Sequence, residues 1–159
     1  MSAIRHGTAP FPVGEVSTGT GNEKLLGLEI QGVDGKEYRL VKSTGAVAAP
    51  ASKCFKRSAA GGTAVEVAGS GDLACGVAVV GQVALAADDY FWLQVAGEVT
   101  LIKSGTLVAT NLLKTAASGA VTQSDASNPT TVFDLTVPGR AHTVASTVVT
   151  AYLLQKLMG

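Results

Sequence analysis

Charge, aromatic rings and histidine are all scarce in this chain. Charged residues make up 15% of its 159 positions, against about 25% in an ordinary soluble domain. Aromatics reach only 5%, with a single tryptophan. The histidines are His6 and His142, far apart in sequence, and a lone histidine is a surface residue far more often than a base or a ligand. No HExxH, CxxC or paired-histidine spacing is present, so the sequence supports no metal site. Catalysis needs titratable groups held together in a cleft, and a chain this poor in them is not expected to be an enzyme or to hold a cofactor.

The individual motifs that mimic active sites fail on inspection. Gly69-Ser70-Gly71 has the wrong spacing for a nucleophile elbow. The glycine-rich stretch Gly14–Gly21 lacks the Gly-Lys-Ser/Thr ending of a phosphate loop and leads into a strand pattern. Asp88-Asp89 is the only adjacent acidic pair, and neighbouring carboxylates in a turn diverge into solvent, whereas general acid–base work sets two across a cleft. Trp92 between Tyr90 and Gln94 could stack on a sugar or base, but a strand tryptophan is more often core or interface.

Other absences bound the partners. Twelve basic residues balance twelve acidic ones with no basic block, which leaves no electrostatic footprint for nucleic acid. The start, Met1–His6, has no apolar signal-peptide core, and no apolar run nears membrane-spanning length, so a cytoplasmic site of synthesis and no membrane partner are expected. Two cysteines, Cys54 and Cys75, fit neither a disulfide framework nor a zinc site and are expected as buried thiols. Their separation in space cannot be read from sequence, so a bridge between them stays open.

What is abundant is glycine, alanine and valine. Glycine occurs 19 times, and 47% of the chain is apolar. With so little charged surface, much of the exterior is expected to be covered by partners. Residues 1–22 carry Pro10, Pro12 and four glycines with no period of either kind, and are expected to form an extended N-terminal arm. Ile4, Phe11 and Val13 have no local apolar partners there. With Arg5 they are the candidate partner-contact residues, unless the arm is only a frayed terminus.

Residues 23–159 carry the strand signals. Leu26, Leu28 and Ile30 alternate up to Asp34-Gly35, and Tyr38–Lys42 alternates after it, predicting a hairpin over about Leu25 to Lys42. Short strands are expected at Lys53–Arg57 and Thr63–Ala68. Leu73–Leu85 is expected to be a strand buried on both faces. Tyr90–Ile102 is the clearest strand, with a bend at Ala96-Gly97. Thr106–Thr115 fits a strand or a helical turn. Strands follow at Ala120–Gln123, Thr131–Val137 and Thr147–Leu157. Turn signals recurring about every 8–12 residues, with no long amphipathic helix and no repeat, predict an all-β fold, a small β-sandwich or β-barrel.

One set of segments resembles a known family. Tyr38-Arg39-Leu40-Val41-Lys42, Gly76–Ala78, Trp92-Leu93-Gln94-Val95-Ala96-Gly97, Lys114–Ala120 and Ala145–Leu154 occur in the order and composition of tailed-bacteriophage capsid decoration (cement) proteins. The resemblance spans residues 38–154 and leaves out the arm and the first strand of the hairpin. It implies a non-enzymatic virion structural protein on the outer surface of a capsid, partnered with the major capsid protein and stabilising contacts between capsomers. It also implies a homo-oligomer, with a trimer favoured. The competing expectations are another virion part (a neck, tail or head-fibre component) or a carbohydrate- or receptor-binding module displaying Tyr90, Trp92 or Tyr152.

Overall fold

The computed structural model describes residues 9–59, 61–81, 83–107, 113–123 and 141–153, with the side chains of 141–144 and 152 left aside. Among these residues ten strands follow one another: β1 (Glu29–Gln31), β2 (Glu37–Ser43), β3 (Cys54–Arg57), β4 (Ala64–Val67), β5 (Gly76–Ala78), β6 (Tyr90–Ile102), β7 (Leu113–Thr115), β8 (Val121–Gln123), β9 (Ala141–Val144) and β10 (Val148–Leu153). Helical structure among the described residues is limited to two short 3₁₀ turns, Thr20–Leu25 and Ala117–Gly119. The chain is all-β, as its alternation predicts, and of the two expected architectures the barrel is the one formed.

Five strands close a ring in the order β2-β4-β3-β5-β6, because β2 also pairs with β6. Most neighbours are antiparallel. The exception is β2 beside β4, parallel with Lys42 opposite Ala64 and Ser43 opposite Val65. The chain leaves β2, forms the β3–β4 hairpin, and returns beside its starting strand, which closes the barrel and removes two sheet edges. Along β2, one edge is occupied by β6 from Glu37 to Lys42. The other passes from β1 at Glu37–Arg39 to β4 at Lys42–Ser43.

Alternation along these strands sorts the side chains. Val41, Phe55, Val65, Ala78, Phe91 and Leu93, drawn from all five strands, fill the barrel interior. The Phe55 and Phe91 rings meet there at 5.1 Å and 60°, the tilted geometry aromatic pairs prefer. The outward residues of the same strands are buried too. Cys54 and Val77 join Val95, Val99, Leu101, Val149, Ala151, Leu113 and Val121 in a second core, where the late half of β6, β10 and the β7–β8 hairpin pack on the barrel. Tyr38, Leu40, Tyr90 and Trp92 belong to a third, with Ile30. A barrel covered on both sides explains why small apolar residues dominate: β5, with all three residues buried, lies between two cores.

β6 serves two parts of the fold. Its first half builds the barrel, and from Gly97 to Ile102 it pairs with β10, which in turn pairs with β9. The bend expected at Ala96-Gly97 is present: Gly97 has φ +93, and just before it the pairing with β2 shifts register, Glu37 lying opposite Ala96 and Tyr38 opposite Gln94. A Cβ on Gly97 would also meet Lys36 at 3.1 Å.

Several sequence expectations are corrected. Among the described residues of Leu73–Leu85 only Gly76–Ala78 is a strand, while Leu73 and Val83 are exposed. The run is apolar because it threads between cores, with Leu85 held by a short bridge to Val47. The expected hairpin from Leu25 narrows to Glu29–Gln31 against Glu37–Arg39, since Leu25 ends a 3₁₀ turn and Gly27 has φ +83. Strand β9, which contains His142, was not signalled by the sequence. Thr131–Val137 lies outside the described residues.

Candidate partner-facing surface

The third core is roofed by the arm. Ala9, Phe11 and Val13 pack, half-buried, over Ile30, Tyr38, Leu40, Tyr90 and Trp92. Phe11 lies 5.8 Å from the Trp92 ring at 49°, and the Trp92 indole N–H donates to the Phe11 carbonyl at 3.3 Å. Pro12 turns the chain, with the Glu15 amide donating to the Pro12 carbonyl at 3.0 Å. Ser17 then exchanges two backbone bonds with Tyr90, at 2.9 and 2.8 Å. The strap ends at the Thr20–Leu25 turn, which crosses the expected boundary between residues 22 and 23.

Of the candidate contact residues, Phe11 and Val13 are thus brought together over the chain's own tryptophan. Ile4 and Arg5 lie outside the described residues. The strap leaves Trp92 with no exposed surface and Tyr90 with 4%. Neither ring is open for sugar or base stacking, so two of the three alternative platform side chains are covered. The third, Tyr152, lies among the side chains left aside.

The acidic and glycine-rich motifs have structural partners. Asp88 pairs with Lys42 at 2.8 Å, and Asp89 accepts the Ala86 amide at 2.7 Å, so the two carboxylates part around a turn. Gly69-Ser70-Gly71 is a turn in which the Gly69 amide donates to Asp72 at 2.7 Å. Lys56 joins Asp72 at 2.9 Å and Glu66 at 3.2 Å. Hydrogen bonding from Lys56 and from the Gly69 amide holds the Asp72 carboxyl below its usual range, against a smaller opposing effect of burial. Among the described residues no cluster of three metal-ligating side chains exists. Among them, too, no helix is long and apolar enough to cross a membrane.

Both cysteines are free and buried. Burial pushes the Cys54 thiol up to about 12, with Cys75 nearby adding to the effect. Burial raises Cys75 to about 11, partly offset by the Arg39 and Arg57 charges. Neither is a nucleophile at neutral pH.

Two features were not singled out from sequence. Glu29 and Arg39 form a buried ion pair across β1 and β2, with contacts of 2.8 and 2.9 Å, in strands that otherwise read as a plain alternating hairpin. The second is Val33, fully exposed at the tip of that hairpin. The tip is tightly held. The Gly32 amide donates to Lys36 at 2.8 Å and the Gly35 amide to Gly32 at 3.1 Å. Asp34 accepts the Lys36 amide at 3.1 Å and the Tyr38 hydroxyl at 3.0 Å. Burial pulls the Asp34 carboxyl up, but these bonds and the Lys36 charge outweigh it and leave it below its usual value. An Asp-Gly turn was legible in the sequence; that it lifts a valine clear of the body was not.

No family model and no curated protein sequence matches the chain. Among solved structures, the fold is similar to the N base of the head fiber protein gp8.5 of bacteriophage phi29, with a TM-score of 0.53 at 17% identity. The match covers 77% of this chain and 97% of that one, so the likeness lies in the fold and takes in nearly the whole of that base.

Proposed function

We propose that the chain is a non-enzymatic structural protein of a phage virion, seated on the outer surface of the head. The observation that carries this reading is the fold likeness to a head fiber base, which extends over 97% of that structure. The chemistry agrees with it. The motifs that could have marked catalysis are occupied by turn hydrogen bonds and ion pairs, and the thiols are buried. The sequence resemblance to capsid decoration proteins points to the same location from different residues.

Within that reading two roles remain, and each has its own support. Order and composition over residues 38–154 favour a cement that strengthens contacts between capsomers through the major capsid protein. The fold likeness favours the base of a head fibre. A cement adds buried area across several subunits and stabilises the shell by linkage. A fibre base needs only to hold on.

Heads assembled without the protein separate the two roles. The purified chain is expected to co-sediment with them saturably. If it is a cement, decorated heads retain DNA at temperatures that burst undecorated ones; if it is a fibre base, the two burst together. Failure to co-sediment while the protein is folded would overturn both.

A further inference from the structure

We propose that a cleft beside the β1–β2 hairpin binds a polyhydroxyl ligand, a saccharide unit, through Gln94, Ser52, Thr100 and Lys36. Gln94 lines this cleft and is only 2% exposed. Its amide nitrogen donates to the Ala96 carbonyl at 3.1 Å and to the Glu98 carbonyl at 2.6 Å. These two bonds fix the orientation of the amide group and turn Oε1 away from both carbonyls. That oxygen meets no donor among the described residues. Nearly every buried polar atom of a folded protein has a partner, so an acceptor held in place and left open calls for a donor from outside.

The rest of the cleft decides what carries that donor. It encloses about 200 Å³, room for several waters at roughly 30 Å³ each. Ser52 and Thr100 each add a hydroxyl with no protein partner among the described residues. Lys36 adds an ammonium that reaches Asp34 only at 4.0 Å. Ala51, Ala78, Val79 and Val99 supply apolar wall. Ser52 is fixed in place: it holds a left-handed φ of +62, its amide donates to the Ala78 carbonyl at 2.9 Å, and its carbonyl accepts the Ile102 amide at 3.1 Å. Gln94 Oε1 needs a donor, Lys36 needs an acceptor, and the two hydroxyls serve as either. A ligand hydroxyl offers both from one atom and brings no net charge. Several of them on a carbon ring meet all four groups and rest the C–H face on the apolar wall. A single peptide unit has one donor and one acceptor and meets two of the four. A carboxylate would satisfy Lys36 and set a second acceptor against Gln94. The site is separate from the covered Trp92 and requires no phage head, so it stands or falls apart from the function proposed above.

The test is an NMR titration of the isotope-labelled full chain with methyl α-glucoside, methyl β-galactoside and N-acetylglucosamine. A small site without an aromatic platform is expected to bind at least one of them with a dissociation constant on the order of millimolar. Binding should shift the backbone amides of Ser52, Val79 and Thr100, and above all the side-chain NH2 pair of Gln94, whose oxygen gains the donor. T100W, which fills the cleft from an exposed position, should keep the wild-type melting temperature and lose the saturable shifts. K36M, which keeps the stem and removes the charge, should weaken binding several-fold. No saturable shift with any of the three sugars would overturn the proposal, as would an affinity unchanged in T100W or in K36M. The same shifts produced by acetylglycine methylamide and not by the sugars would also overturn it, by assigning the cleft to a peptide.

Discussion

Trp92 shows how one residue can be placed by sequence and yet have its neighbour missed. Alternation fixes its face of β6, and the rarity of exposed strand tryptophans points to a covered ring. What covers it, Phe11, lies 81 positions earlier in a segment without any period. Glycines are harder still. Gly119 looks like one of many turn glycines, but it has φ +75, and a Cβ there would lie 2.9 Å from Lys53 Cβ and 3.0 Å from both the Cys54 carbonyl and Val67. Its amide also donates to the Ala68 carbonyl at 2.8 Å. Gly119→Ala is therefore expected to cost about 1–3 kcal/mol from overpacking, seen as a lower urea midpoint; an unchanged midpoint would mean that the β7–β8 turn does not seat on β3 and β4. The buried titratable groups give a second prediction. Cys54 and Tyr38 are raised to about 12 and Cys75 to about 11, in each case chiefly by burial. Their neutral forms are favoured by folding, so this stability is full below the unfolded values of 9.0 for the thiols and 10.0 for tyrosine and is lost as pH rises through the folded values. The melting temperature should hold up to about pH 9 and drop steeply by about pH 11, and both thiols should resist alkylation in the native protein at neutral pH. Prompt labelling of either would show that its core opens.

At the level of elements, strands with strong alternation were legible and their limits less so. Tyr90–Ile102 is a strand over the full range expected, because both of its halves alternate and glycine marks the bend. Leu73–Leu85 misled because an apolar run records burial, and burial between two cores does not require strand pairing. The arm misled differently. Proline and glycine predict its extended course, but nothing local predicts that it docks in cis on the third core. That docking changes what its removal does. Deleting residues 1–18 is expected to uncover Trp92, moving its fluorescence to longer wavelength and lowering the melting temperature, while the barrel strands persist by far-UV circular dichroism. A truncated protein with unshifted fluorescence and full stability would show that the strap is not a working part of the fold. Phe11→Ala alone should reproduce much of the shift, since it removes the ring against Trp92 and keeps the carbonyl that its indole bonds.

At the scale of the whole molecule, the all-β class followed from turn spacing and alternation, but barrel closure did not. Closure rests on a parallel pairing of only two residue pairs between β2 and β4, which no local pattern announces. The motifs that came closest to a site in the sequence, Asp88-Asp89 and Gly69-Ser70-Gly71, resolve into turns with structural partners. The surface was the least legible part. An exposed valine looks the same in sequence as a buried one, and only the geometry of its turn distinguishes Val33. The trimer implied by the resemblance to decoration proteins would weigh about 48 kDa, three times the 16.0 kDa chain; light scattering on a sizing column is expected to read that mass, and a 16.0 kDa species would contradict it.

The central claim is a location, and imaging tests it most directly. Heads assembled with and without the protein, reconstructed by electron cryomicroscopy, should differ by density at symmetry-related positions on the outer capsid surface, into which the barrel fits. Density confined to the tail or neck, or no added density on heads mixed with folded protein, would contradict the account.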